Sequence, residues 1–233
     1  MRHRLLPAAA AALALAACSD APAPAAPDDA IASPPRLSLF VSGDYNCTTT
    51  VSGLTVDGNV FVPPGTTCSL SGSTVRGNVV ALQSARLFLA TSTVEGSVEG
   101  DKASIVQIRG GRISGDIKIT EATSPGQLGA AIFGGTIVAE GNIEITKALT
   151  GRVLVADARV EKGEIKVEET TTTGSLQVLR NRTAGNLQVF KNLGAAPKFV
   201  QGNVVQQEIQ CKENALPFIG GPNTASGREG QCF

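Results

Sequence analysis

Thr55-Val56-Asp57-Gly58-Asn59-Val60 returns nineteen residues later as Thr74-Val75-Arg76-Gly77-Asn78-Val79, and again as Thr93-Val94-Glu95-Gly96-Ser97-Val98. A fourth copy reads Arg112-Ile113-Ser114-Gly115-Asp116-Ile117. The Gly then recurs at Gly141, Gly163 and Gly185, at spacings of 19, 19, 19, 26, 22 and 22. A fixed period near twenty residues, rich in Val, Thr and Gly, is the mark of a solenoid, in which each unit buries its apolar face only by stacking on the next.

Within a unit the apolar residues alternate by two. Val60 and Val62, Val79 and Ala81, Val98 and Gly100, Ile117 and Ile119, Ile143 and Ile145, Ile165 and Val167, and Leu187 and Val189 follow the Gly. Half a unit later come Cys68 and Leu70, Leu87 and Leu89, Val106 and Ile108, Val153 and Val155, and Leu176 and Val178; a third inward position is Val56, Val75, Val94 and Ile113. Period two means short strands with one buried face. The expectation is an all-β, single-stranded parallel β-helix: three short strands per coil of about 19–22 residues, in about 7–8 coils. The 26 glycines, together with abundant Thr and Val, oppose helices. Gly202-Asn203-Val204 either opens a final turn or forms one side of the last.

The recurring Gly is expected to supply corner backbone angles closed to other residues. The next column, Asn59, Asn78, Ser97, Asp116, Asn142, Glu164 and Asn186, is expected to bond along the stack and satisfy turn amides. Two outward columns alternate in sign: Asp57, Arg76, Glu95, Ser114, Glu140 and Lys162 before the Gly, and Glu99, Lys118, Glu144 and Lys166 on the following strand. Attraction between adjacent coils reads as specification of register. Residues 121–127, in the 26-residue gap, are expected to form a loop thrown out from one corner.

Outside the repeat, residues 1–18 read as an export signal: Arg2 and Arg4, an apolar run from Leu5 to Ala17, then Cys18. Leu15-Ala16-Ala17-Cys18 resembles the bacterial lipobox, which implies that Cys18 is lipidated and becomes the mature N-terminus. Ser19 follows it, where Asp would resemble an inner-membrane retention signal, so the outer membrane is the expected address. Residues 19–36 are an Ala/Pro-rich tether favouring extended polyproline II. Residues 37–210 are the expected β-helix and 211–233 a C-terminal cap. The expected partner is thus the membrane, through lipid on Cys18, with an envelope polysaccharide or protein beyond it and the domain a monomer.

Cys47, Cys68, Cys211 and Cys232 form one pair near each end. Of three connectivities, the sequence-local scheme Cys47–Cys68 and Cys211–Cys232 is favoured, and the absence of CxxC spacing argues against zinc.

Composition narrows function. The only His is His3 and there is no Trp; without Arg2 and Arg4 the chain carries 18 basic against 20 acidic residues. That near-neutral balance argues against nucleic acid. No Ser-His-Asp or Cys-His constellation can be built, so no catalytic residue, metal ligand or cofactor is assigned. Parallel β-helices include pectate-lyase-like lyases and polygalacturonase-like hydrolases, whose clustered Asp and Gly-His-Gly motifs are not in this sequence. A Thr column (Thr55, Thr74, Thr93), similar to flat ice-binding faces, stops at Arg112 and is better explained by strand propensity.

The chain resembles exported bacterial proteins of Gly-Asn-Val and Gly-Asn-Leu-Gln repeats, whose ending is similar to Gln210-Cys211-Lys212-Glu213-Asn214 followed by Gly230-Gln231-Cys232. That resemblance implies a right-handed parallel β-helix and carries no activity. The Val-x-Gly-x-Val rhythm also resembles bactofilins, which polymerise end to end, although the export signal and the Cys-bearing ends depart from them. The expected function is a lipid-anchored cell-envelope protein with a structural or binding, non-catalytic role. Its rivals are a polysaccharide-acting enzyme of pectate-lyase-like fold and a bactofilin-like scaffold.

Overall fold

Three faces of stacked short strands make up the protein. The computed structural model describes residues 39–232, so the export signal, Cys18 and the tether lie outside the described residues. Among the described residues there is no helix, and every named strand pairing is parallel. Strands collect into sheets of nine, ten and nine, giving a β-solenoid of about eight turns.

The first face holds the Thr-Val dipeptides, with Thr55↔Thr74↔Thr93↔Arg112 and Val56↔Val75↔Val94↔Ile113 in register. The second holds the strands after the Gly, from Val60–Val62 to Glu208–Lys212. The third carries the second alternating pair, with Cys68↔Leu87↔Val106 aligned. All three apolar columns are buried and merge into one core running through the solenoid. Each fully buried Val, Ile or Leu contributes about 1.5–3 kcal/mol over exposure, so a narrow interior without Trp suffices.

The recurring Gly serves a different purpose from the expected one. Gly58, Gly77, Gly96 and Gly115 do not lie in the left-handed region; what they need is space. A Cβ on Gly77 would sit 2.6 Å from Asn59 Oδ1 and 2.7 Å from the Gly58 carbonyl. Adjacent turns approach there closely enough to leave no room for a side chain.

The left-handed corners lie elsewhere, one mostly of long side chains and the other mostly of Gly. Ser84, Lys102, Glu121, Lys147, Glu169, Lys191 and Glu213, all with positive φ, form one column between the second and third faces. Thr91, Asp157 and Arg180 share the corner after the third face with Gly53, Gly72, Gly110, Gly134 and Gly202. Gly202-Asn203-Val204 belongs to this second corner: Val204–Val205 pairs with Arg182–Thr183 on the first face, so the phrase is not an eighth copy of the motif.

Two further expectations need correcting. Residues 121–127 are not an extruded loop, because Thr123–Phe133 is one long strand paired to Leu149–Ala156. The surplus is absorbed as register shifts between Ser124 and Leu128 and between Leu128 and Ala130. Sign alternation along Asp57, Arg76, Glu95 and Ser114 does not continue to Glu140 and Lys162. Val138 and Val160 are the strand partners, so the column passes to Ala139 and Glu161. Glu140 and Lys162 occupy an extra corner residue, where they pair with each other. The column Glu99, Lys118, Glu144 and Lys166 is in register as expected.

At the C-terminal end, the expected boundary at Cys211 falls inside the strand Glu208–Lys212. Phe218–Gly220 and Gly227–Gly230 then extend the third and second faces.

Candidate functional site

Both expected disulfides form, with Cα separations of 5.4 Å for Cys47–Cys68 and 5.3 Å for Cys211–Cys232. Cys68 and Cys211 occupy inward columns opposite Leu87 and Val189. All four are buried, so each bridge ties an end turn to its neighbour from inside. Cys18, the expected lipidation site, lies outside the described residues.

The polar column after the Gly works as a hydrogen-bond ladder. Asn78 N–H donates to Asn59 Oδ1 (2.9 Å), Ser97 N–H to Asn78 Oδ1 (2.8 Å), Asp116 N–H to Ser97 Oγ (3.0 Å) and Asn142 N–H to Asp116 Oδ1 (2.7 Å). These oxygens are occupied by backbone amides, which accounts for the residue types.

Two buried ladders escaped the sequence reading. Asn181, Asn203 and Asn223 follow one left-handed corner; Asn192 and Asn214, continued by Gln231, follow the other. Each Asn Oδ1 accepts the N–H of the residue one turn before, and each Nδ2 donates to a carbonyl such as Val178 or Val189. Their signal was the 22-residue spacing of Asn181 from Asn203 and of Asn192 from Asn214.

Inside the widened turns lies a polar seam. Ser124, Thr150 and Thr172 stack in register and are buried, and Thr172 Oγ1 has no partner among the described residues. Lys198 stands at an inward position between Leu176 and Phe218 and is 0 % exposed. Its ammonium donates to the carbonyls of Gly194 (2.7 Å) and Ala196 (3.0 Å). Burial holds its pKa below the ordinary lysine value. It braces the turn formed by residues 194–196.

The most chemically distinctive feature of the surface is on the first face. The outward column that begins Thr55, Thr74, Thr93 continues as Arg112, Ile137, Arg159 and Arg182. A shallow depression of about 410 Å³ opens here, lined by Asp157, Arg159, Glu161, Arg180, Arg182 and Gln206. Arg180 grips Asp157 with two 2.7 Å hydrogen bonds, from Nε to Oδ1 and from Nη2 to Oδ2. That fork holds the Asp157 carboxyl below the usual range, against the opposing pull of burial, and raises the Arg180 guanidinium above its own. Glu161 accepts from Arg112 at 3.1 Å and lies 3.5 Å from Arg159. Asp157 therefore stays ionised at neutral pH and is poorly suited to donate a proton. Fixed guanidiniums suit a different task, holding an oxyanion. The sequence signal was the break in the Thr column at Arg112, beyond which the changing period hid Arg159 and Arg182.

Among the described residues no three His, Cys, Asp or Glu side chains lie together as a metal site. The chain matches no protein-family model, no curated protein and no solved structure. Fold alone defines its class, a parallel β-solenoid of about eight turns with three faces. Each end turn is fastened to its neighbour by a disulfide.

Proposed function

We propose that the chain is a lipid-anchored protein of the bacterial cell envelope, addressed to the outer membrane, whose solenoid acts as a non-catalytic binding or spacing rod. The observation that carries this reading is the pair of buried disulfides, because such bonds form and persist in oxidising compartments outside the cytoplasm. The export signal before Cys18, the Ser19 that follows it and the Ala/Pro tether add support from sequence. In this reading the chain joins the exported right-handed β-helices that its Gly-Asn-Val repeats and Cys232 ending resemble. Binding is favoured over turnover by carboxylates committed to ion pairs, Asp157 with Arg180 and Glu161 with Arg112.

Lipid attachment is tested by metabolic labelling with palmitate. The wild-type chain takes up label and sediments with membranes, whereas Cys18→Ser does neither; an unlabelled wild type overturns the anchor. Incubation with polygalacturonate and calcium leaves the polymer intact, and the appearance of unsaturated uronate products would establish the lyase alternative instead. The scaffold alternative has one observation of its own, since Phe40 (61 % exposed) and Leu216 (74 % exposed) lie on opposite end turns. Electron microscopy of the purified protein separates the two, discrete particles being expected and filaments favouring the scaffold.

A further inference from the structure

Where charges face each other in register on neighbouring strands, their signs alternate, as in Glu99↔Lys118, Lys118↔Glu144 and Glu144↔Lys166. One pair breaks the pattern. Arg159 and Arg182 are direct register partners on the first face, both exposed. Adjacent strands lie about 4.8 Å apart, and like charges directly opposite destabilise a sheet. Among the described strands no other register pair carries two charges of one sign. The nearby carboxylates do not resolve the conflict. Asp157 is gripped by Arg180, Glu161 lies between Arg112 and Arg159, and Arg182 has no carboxylate within 4.0 Å among the described residues. Four guanidiniums thus face two carboxylates in and beside one depression. Register specification, which accounts for the alternating columns, cannot account for a repulsive pair. Local rules broken at one place in a consistent structure point to function.

We propose that this depression is an oxyanion site for an acidic polysaccharide, with Arg159 and Arg182 binding its carboxylate or sulfate groups and Arg180, fixed by Asp157, forming a wall. Guanidinium forks match both groups in bidentate geometry. The site is open, and its column runs from turn to turn through Arg112, which suits an extended chain with repeated charges better than an enclosed small molecule. The assignment rests on the reading of the protein as a binding rod and supplies the class of ligand.

The test uses the full chain in non-ionic detergent, titrated with polygalacturonate, dextran sulfate and neutral dextran, and separately with phosphatidylglycerol mixed micelles. The two acidic polymers bind in a salt-sensitive manner and neutral dextran does not. The double variant R159Q/R182Q binds the acidic polymers at least about tenfold more weakly, as two lost charge-assisted contacts imply. R76Q, which removes a guanidinium paired with Asp57 elsewhere on the rod, stays within about twofold of wild type. R182Q melts at a higher temperature than wild type, because it relieves the repulsion; this also shows that the site variants fold. Undiminished binding by the double variant, an equal loss in R76Q, failure of both acidic polymers to bind, or binding of the micelles alone each overturns the arginine site. None of these outcomes touches the anchored-rod reading, which fails instead on the palmitate and product assays.

Discussion

Two glycines show how differently the same residue can be required. Gly77 faces the Gly58 carbonyl and the Asn59 side chain, so a methyl group there collides with a neighbouring turn. Gly72 has φ of +56° and open space where a Cβ would point. Gly77→Ala should cost about 1–3 kcal/mol through overpacking and shift the local stacking. Gly72→Ala should cost about 1–2 kcal/mol through backbone strain alone. Urea denaturation gives both losses, and amide exchange of the residue 77–79 ladder should speed up only in the first. Lys198 is the second residue whose setting decides its effect. Its folded pKa lies below the unfolded value, so the native state binds fewer protons between the two, and stability rises with pH as 10.5 is approached from below. Lys166 works in the opposite sense. Its hydrogen bond to Glu168, and then the charges of Glu168, Glu144 and Glu164, raise its pKa, so its contribution is lost only above 10.5. The gain in melting temperature as pH rises toward 10.5 should therefore vanish in Lys198→Met. Lys198→Met leaves the Gly194 and Ala196 carbonyls without a donor but relieves a buried charge, and should stay within about 1–2 kcal/mol of wild type at neutral pH. Lys198→Ala leaves the same two carbonyls without a donor and in addition opens a cavity, so it should lose about 2–4 kcal/mol more than Lys198→Met.

At the scale of strands and corners, the ladders differ by burial. Asn203→Ala removes the acceptor for the Asn181 N–H and the donor to the Val178 carbonyl, both buried. The expected loss is about 2–4 kcal/mol, since neither group can reach water. Asn78→Ala breaks an exposed ladder where water replaces the side chain, and should cost less than about 1 kcal/mol. Chemical denaturation of the two variants checks the contrast. The strands themselves were legible in the sequence, because period-two alternation reports burial directly and Val60, Val79, Val98 and Ile117 all point inward. The reason for the Gly column was not, because the collision it avoids involves a residue nineteen positions away. Pro125-Gly126 carries the chemistry of a turn, which masked a strand continuing through it. A single extra residue at Glu140 displaced a charge column without altering composition. The arginine depression was hidden in the same way, since Arg159 and Arg182 align only once strand partners, rather than the Gly, set the register.

For the whole molecule, the end turns carry the risk. A parallel stack ends in unpaired strand edges, and here the final strands Phe218–Gly220 and Gly227–Gly230 cover the preceding turn with Cys211–Cys232 holding them. A chain ending at residue 203 loses that cover and uncovers the edge of Leu187–Phe190. It is expected to aggregate, as read by light scattering and gel filtration; a soluble monomer would show that the last turn protects nothing. The bulge near Pro125 has a different kind of consequence. After it the Gly period holds at 22 through Gly185, and the register tightens to nineteen again only at the closing strand, where Glu208 faces Gly227. In a crystal this would be called an edge dislocation: an extra half-plane that ends inside the lattice and that every plane beside it must accommodate. Here it is carried through the turns up to Glu208–Lys212 and dropped at the closing strand Gly227–Gly230. Whole turns can be duplicated on either side without disturbing their neighbours, whereas a shorter edit is passed from turn to turn until a bulge or a closing strand takes it up.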